Sequence, residues 1–368
     1  MSKKIKILYL TTSSKLSGTE KMLYELVKGI DKEKYEVMVC TIKDDLDSQL
    51  LDRLRKEGIK TACLDLDKKW KIWRVFKLFK IIKNFNPKIL QSFLFFDNIL
   101  ARIFGKLAGA PIIISGQRSA ETYRPKIRNF FDRITINLAD YIVSNSEAGK
   151  RIVIERDGFP EEKVKVIYNG INLDKTGQQL KARRSKAITK IGFVGRLSTE
   201  KGLNYLIEAV SILKNKMNDF VVLIIGDGPE RKKLEKLTYE NGVEDVICFL
   251  GYKEKAWQYM QEFDLFVLPS LWEGFPNVII EAMAQNVLVV ATRVGGVPEL
   301  IKDNETGFLV KPRDGKALAE RINYVLNLPE KEKKKIEENA RRVVKKEFSI
   351  EKMLKEYEKL YASLIHNN

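Results

Sequence analysis

Apolar and polar positions alternate along this chain with two different periods. "KIKILYLTT" reads as a buried strand over residues 5–10 that ends in a Ser/Thr/Gly loop. In "TEKMLYELVKGI" the apolar positions Met22, Leu23, Leu26, Val27 and Ile30 recur at helical spacing. "YEVMVCTI" predicts a second strand, "DSQLLDRLRKEGI" a helix ended by Gly58, and "KWKIWRVFKLFKIIKNF" a third helix stopped near Asn86-Pro87. "KILQSFL", "PIIISG" and "DYIVSNS" predict further strands, with "NILARIFGKLAG" helical between the first two. Strand, loop, helix and strand in alternation predict an α/β fold: a parallel sheet with helices on both faces.

The pattern breaks in "VKVIYNGINLDKTGQQLKARRSKAITK", where apolar density falls and Asn-Gly, Thr-Gly and charges dominate. A second alternating unit follows, from "KIGFVGRL" through "FVVLIIGDG", "VICFLG", "LFVLPS" and "VLVVAT" to "GFLV". Two polar amphipathic helices close the chain, with Ser349 suited to cap the last. The expected organisation is a first domain over 1–172, a linker over 173–188, a second domain over 189–348, and a C-terminal helix over 349–368 that returns to the first domain. Open α/β sheets bind ligands outside the carboxyl ends of their strands. Two such sheets facing each other would frame a cleft for two substrates.

Composition narrows the chemistry. A length of 368 residues and 44% hydrophobic content suit two ordinary domains with real cores. Cys40, Cys63 and Cys248 have no paired spacing, which argues against a disulfide framework or zinc site and for a reducing compartment. His366 is the only histidine, so histidine general-base catalysis and histidine metal ligation are not expected. The apolar stretch near the start is too short for a secretory signal, and no run approaches the roughly 18 apolar residues of a membrane span. The expected place is the cytosol or the cytosolic face of a membrane. Net charge is +17, and residues 1–170 hold 33 Lys+Arg against 21 Asp+Glu. That excess favours an anionic partner on the first half.

Three loops carry candidate chemistry. In "LPSLWEGFPNVIIEAM" a helix starting near Asn277 puts Glu281 about one turn in, with Pro276 ahead of it. Backbone N–H groups at that start, with Gly274 allowing close approach, suit an anion or a hydroxyl. The alternative is a solvent-facing Glu281, although Ile279, Ile280, Ala282 and Met283 leave little polar face. In "FVGRLSTEKG" a strand ends at Gly195, and Arg196 and Lys201 follow. Two cations at a strand–helix junction suit a diphosphate, or are simply solvated. In "TTSSKLSGTEKM" Gly18 either admits a ligand to the backbone or only turns the chain. Neither GxxxxGK[ST] nor GxGxxG is present there. Gly226 and Gly228 of "GDGPE" face a nucleotide or form a tight turn.

The ordered set of "NSEAG", "VIYNGIN", V-G-R-L-x3-K-G, E-G-F-P-x4-E and "GGVPELIKDNETGFLV" resembles the retaining glycosyltransferases of family 4 over nearly the whole chain. The resemblance implies the GT-B fold, two Rossmann-like doubly wound domains facing across a cleft. It implies that Arg196 and Lys201 hold the diphosphate of a nucleotide-sugar and that Glu281 binds ribose hydroxyls. Glu273 and the backbone of Gly274, Phe275, Pro276 and Asn277 would hold the donor sugar. Gly18, Gly195, Gly226 and Gly228 would line the donor site, and Asn98 and Arg118 the acceptor side, Arg118 suiting a surface or structural place equally. No metal or cofactor is implied beyond the nucleotide-sugar co-substrate, since fixed cations replace a divalent ion at the leaving group. Retention is implied by same-face attack with the leaving phosphate as base. Two departures stand out: Ser17-Gly18 where many relatives carry Gly-Gly, and no histidine in "LQSFLFFDNILAR", where Phe96 stands.

Residues 68–88, "KKWKIWRVFKLFKIIKNFNPK", hold eight Lys/Arg and no acid. Ile72, Val75, Phe76, Phe79 and Ile82 make an apolar stripe. Either the stripe packs on the core and the cations are solvated, or the segment rests on anionic lipid, where each cation adds about 1 kcal/mol. The expected activity is transfer of a sugar, from a UDP-sugar, to a saccharide or lipid-linked glycan of the cell envelope. The alternatives are other nucleotide-sugar chemistry on the same fold, or a basic binding protein. No DNA or RNA motif supports nucleic acid as partner.

Overall fold

The structure is a computed structural model describing residues 4–43, 49–66, 73–119, 125–173 and 188–366. The expected linker therefore lies almost wholly outside the described residues, as do residues 68–72 of the basic segment. The chain divides into two compact units, one of 1–170 with 350–368 and one of 171–349.

Unit 1 holds seven strands: β1 (Ile5–Thr11), β2 (Tyr35–Thr41), β3 (Lys60–Cys63), β4 (Ile89–Ser92), β5 (Ile112–Gln117), β6 (Tyr141–Ser144) and β7 (Val164–Val166). All pair in parallel, in the order β3-β2-β1-β4-β5-β6-β7. Side chains alternate across a strand, so β1 feeds two cores. Ile7 and Tyr9 enter one with Leu23, Leu26, Tyr357 and Leu364. Leu8 and Leu10 enter the other with Leu78, Ile82, Ala101 and Phe104. The helix Ile350–His366 thus completes a core begun by the first strand. Tyr361 seals the join: its hydroxyl donates to Gln91 Oε1 at 2.6 Å and lies 2.9 Å from that of Tyr9. With its one proton committed to Gln91, Tyr361 accepts from Tyr9.

Unit 2 repeats the winding with six strands: β8 (Thr189–Val194), β9 (Phe220–Ile225), β10 (Ile247–Gly251), β11 (Leu265–Leu268), β12 (Leu288–Thr292) and β13 (Phe308–Val310). Their order is β10-β9-β8-β11-β12-β13, again all parallel. Each sheet reverses direction of winding at one place, between β1 and β4 and between β8 and β11. In open parallel sheets, ligands bind outside the carboxyl ends of the strands at such a reversal.

Some elements differ from the sequence expectation. β3 and β7 are edge strands of four and three residues, and neither is fully buried, so they lack the continuous apolar run of a central parallel strand. The helix Val75–Phe85 buries Leu78, Ile82 and Phe85. The expected stripe is therefore displaced: Phe76 is 64% exposed, its ring edge-on to Phe104 at 5.9 Å. The helix Lys126–Thr135 was not apparent from the pattern at all, because its buried residues are Asp132 and Thr135.

Candidate functional site

The loops carrying Arg196, Lys201 and Glu273 leave β8 and β11, the two strands that flank the reversal in unit 2. Leu265 and Phe266 pair with Ile191 and Gly192, which fixes the two loops side by side. The β8 loop is also tied to the β9 loop. Gly195 N donates to Ile225 O at 2.9 Å, Leu197 N to Asp227 O at 3.0 Å, and Glu230 N to Leu197 O at 3.0 Å. This close approach explains "GDG". Gly226 has φ +141°, and a Cβ there would lie 1.8 Å from Gly195 O; at Gly228 it would lie 2.2 Å from Leu197 O. Both glycines admit the neighbouring loop that carries Arg196.

Thr199–Lys201 forms a single 3-10 turn, and Gly202 leaves it at φ +61°, where a Cβ would lie 2.2 Å from Pro269 O. Leu271 N donates to Glu200 O at 2.7 Å. These contacts bring Lys201 Nζ to 2.5 Å from Glu273 Oε1, which also accepts from Ser270 Oγ at 2.7 Å. The two side chains are only 18% and 10% exposed. Desolvating two charges costs as much as their attraction returns unless the geometry is good, so such a pair is a poor stabiliser and a good positioning device. Arg196 is exposed and forms no ion pair among the described residues. One cation is thus held and one extended at the same strand end.

The β11 loop runs into the helix Asn277–Ala284, whose N-terminal residue Pro276 provides no side-chain cap. Gly274, Phe275 and Pro276 are buried; Asn277 and Glu281 are half-buried. Phe275 meets Phe348 edge-on at 5.6 Å, so its ring anchors the loop. Ser270, fully buried, and Gly202 were missed by sequence reasoning. The signal for each was its place directly after a strand or turn already singled out.

In unit 1 the matching reversal holds a second polar cluster. Asp97 is buried at the start of the helix Phe95–Ala108. It accepts from Phe93 N at 2.8 Å, Leu94 N at 2.9 Å and Thr12 Oγ1 at 2.9 Å. Burial pushes its carboxyl up to about 7, against the pull of those donors. Glu20, also buried, accepts from Thr11 Oγ1 at 3.0 Å and from Ser17 Oγ. Gly18 begins the helix Gly18–Gly29 with open space where a Cβ would stand.

The two acceptor-side expectations land on internal ties. Asn98 is buried; it accepts from Ser92 Oγ at 2.7 Å and Gly116 N at 3.1 Å and donates to Gly116 O at 2.8 Å. Its amide stitches β4 to β5. Arg118 donates to Asn169 Oδ1 at 2.8 Å and to the Tyr357 hydroxyl at 2.7 Å, and stacks on the Phe93 ring at 5.2 Å. It ties the C-terminal helix to the rest of unit 1.

The family model described as Glycosyltransferase Family 4 matches residues 16–175, and that described as Glycosyl transferases group 1 matches residues 178–343. The chain belongs to the family 4 glycosyltransferases. It is 35% identical over 198 residues to an uncharacterized glycosyltransferase of Methanocaldococcus jannaschii, an alignment covering 50% of each chain. It is 25% identical over 388 residues to the UDP-Gal:alpha-D-GlcNAc-diphosphoundecaprenol alpha-1,3-galactosyltransferase of Escherichia coli, covering 99% of this chain and 98% of that one. The chain thus spans half the length of the first relative and nearly all of the second. Among solved structures, Anabaena Alr3699/HepE in complex with UDP superposes with a TM-score of 0.83 at 23% identity, covering 98% of this chain and 100% of that one. That likeness establishes the GT-B fold of family 4, with its two parallel-sheet Rossmann-like domains.

Proposed function

We propose that this protein is a retaining, metal-independent glycosyltransferase that moves a sugar from a UDP-sugar to a saccharide or lipid-linked glycan acceptor in cell-envelope polysaccharide or glycolipid synthesis. The observation that carries the reading is the Lys201–Glu273 pair beside the exposed Arg196 at the β8/β11 reversal. UDP as the donor nucleotide is supported by the E. coli relative's UDP-Gal and by the UDP held in the Anabaena structure. A lipid-linked acceptor is supported by the diphosphoundecaprenol in the same relative's name.

Breaking the glycosyl–phosphate bond leaves negative charge on the diphosphate and cationic character on the sugar. Lys201 offers three N–H donors and spends one on Glu273, so two remain for phosphate oxygens. Arg196 supplies a planar fork to the same diphosphate. Glu273, fixed by Lys201 and Ser270 through Oε1, keeps Oε2 for a sugar hydroxyl. Glu281 takes the ribose hydroxyls. The acceptor oxygen bonds to the anomeric carbon on the face the phosphate leaves, and its proton passes to the departing phosphate oxygen. Cations held before the reaction need no reorganisation during it, which is where the rate gain arises. Unit 1 takes the acceptor, and the basic helix Val75–Phe85, with Lys77, Lys80 and Lys83 exposed, holds the protein at the inner face of the membrane.

The test is a thermal-shift panel of UDP-, GDP- and ADP-sugars with EDTA present. UDP-sugars alone should raise Tm, and Lys201→Ala should abolish the rise. A response confined to GDP- or ADP-sugars overturns the donor assignment, and a response that needs a divalent ion overturns metal independence.

A further inference from the structure

The helix Lys126–Thr135 is built inside out. Its buried face consists of Asp132 and Thr135. Asp132 accepts from the buried Arg102 at 2.9 Å, and Arg102 also donates to Thr135 Oγ1 at 3.3 Å and to Ser115 Oγ at 2.9 Å. The apolar residues point the other way: Ile127, Phe130, Phe131 and Ile134 are 62%, 56%, 42% and 56% exposed. Their spacing of i, i+3, i+4 and i+7 makes one continuous stripe. Scattered exposed apolar residues need no explanation, but a contiguous stripe on a helix that docks by its charges does.

The exposed charges on the helix itself have one sign. Lys126, Arg128 and Arg133 are exposed, and the one acid of the helix is the buried Asp132. The helix Phe95–Ala108 packs between this helix and Val75–Phe85, and adds Leu107, 65% exposed. Phe76 and Lys77, Lys80 and Lys83 extend the surface on the far side. No described helix is long and apolar enough to cross a bilayer. An apolar stripe on a helix whose exposed charges are all cations is complementary to a surface that is anionic outside and hydrocarbon beneath.

We infer that the outer face of the helix Lys126–Thr135 inserts its Ile127, Phe130, Phe131 and Ile134 side chains into an anionic lipid bilayer, with Lys126, Arg128 and Arg133 at headgroup level. This deepens the membrane reading given above and rests on it for the kind of partner. The basic helix Val75–Phe85 supplies attraction; the inside-out helix supplies insertion. The Arg102 pair holds the helix from behind, so its apolar side is left for the lipid.

The test is co-sedimentation of the full chain with vesicles of equimolar phosphatidylglycerol and phosphatidylcholine, and with pure phosphatidylcholine. Wild type should bind the anionic vesicles at least tenfold better. The double variant Phe130→Ser/Phe131→Ser should lose at least tenfold of that binding and keep its UDP-sugar thermal shift, which shows it is folded. Phe130→Trp should gain fluorescence that brominated acyl chains quench. If the double variant binds as wild type while Lys77→Glu/Lys80→Glu does not, the insertion proposal falls and the membrane reading stands. If wild type binds neither vesicle, both fall. If wild type is a dimer that Phe130→Ser/Phe131→Ser turns into a monomer, and lipid is not bound, the face is a self-association surface and the proposal is overturned.

Discussion

Lys201 Nζ and Glu273 Oε1 stand 2.5 Å apart although 72 positions separate them in the chain. Two strand ends that adjoin only because the sheet reverses there bring them together. Removing Lys201 should therefore do more than delete a charge, since it leaves Glu273 held by Ser270 alone among the contacts described above. Lys201→Ala and Arg196→Ala should each lower kcat/KM by about 10²–10³, the loss expected for one preorganised charge donor. Steady-state kinetics would check this, and near wild-type turnover in both variants would refute the assigned roles. Glu273→Gln should lose less, because Gln still accepts from Lys201 but no longer balances its charge.

The glycines separate packing from ligand approach. Gly226→Ala places a Cβ against Gly195 O at positive φ, so it should cost about 3 kcal/mol or more of unit 2 stability in urea titrations. Gly18→Ala meets open space at a helix start and should leave stability within about 1 kcal/mol of wild type or raise it. Its effect should appear instead as a lower kcat/KM for the donor. An unchanged kcat/KM would remove Gly18 from the donor site.

Asp97 gives unit 1 a pH signature. Burial lifts its carboxyl to about 7, so the native state holds the proton more tightly than the unfolded chain. Stability from this group is therefore present at low pH and is lost as pH rises from the ordinary carboxylate range through about 7, by at most about 4 kcal/mol. Asp97→Asn should flatten that slope, since an amide can accept from Phe93 N and Leu94 N once the Thr12 hydroxyl turns round. Unfolding free energies of wild type and variant at pH 5 and pH 8 would decide it; parallel curves would count against the shift.

Arg118 tests the alternative between internal tie and acceptor contact. If its role is the clamp on Tyr357 and Asn169, Arg118→Ala should cost about 2–3 kcal/mol of stability. Loss of acceptor KM with unchanged stability would restore it to the acceptor side.

Central elements were legible in the sequence because a strand buried on both faces is mostly a continuous apolar run, as Ile7 to Leu10 and Leu265 to Leu268 illustrate. The edge strands β3 and β7 and the helix Lys126–Thr135 were not, because partial burial or inverted burial removes the period on which reading depends. Arg196, Lys201 and Glu273 stood out by their place at strand ends. What could not be read was partnership: that Glu273 would hold Lys201, that Gly226 and Gly228 would serve a neighbouring loop, or that Asn98 would bond Gly116. Those facts belong to the sheet order, which brings together residues far apart in the chain.

Unit 1 encloses unit 2 in the chain: it ends at Gly170 and resumes at Ile350. Its core lacks Tyr357, Leu360 and Leu364 until the last helix is made. On the ribosome, then, the first 170 residues emerge with that side of their sheet uncovered, while unit 2 becomes a finished body before the opening strands can close. The segment 171–349 should accordingly mature on its own, and a nascent chain stalled before Tyr361 should depend on chaperones.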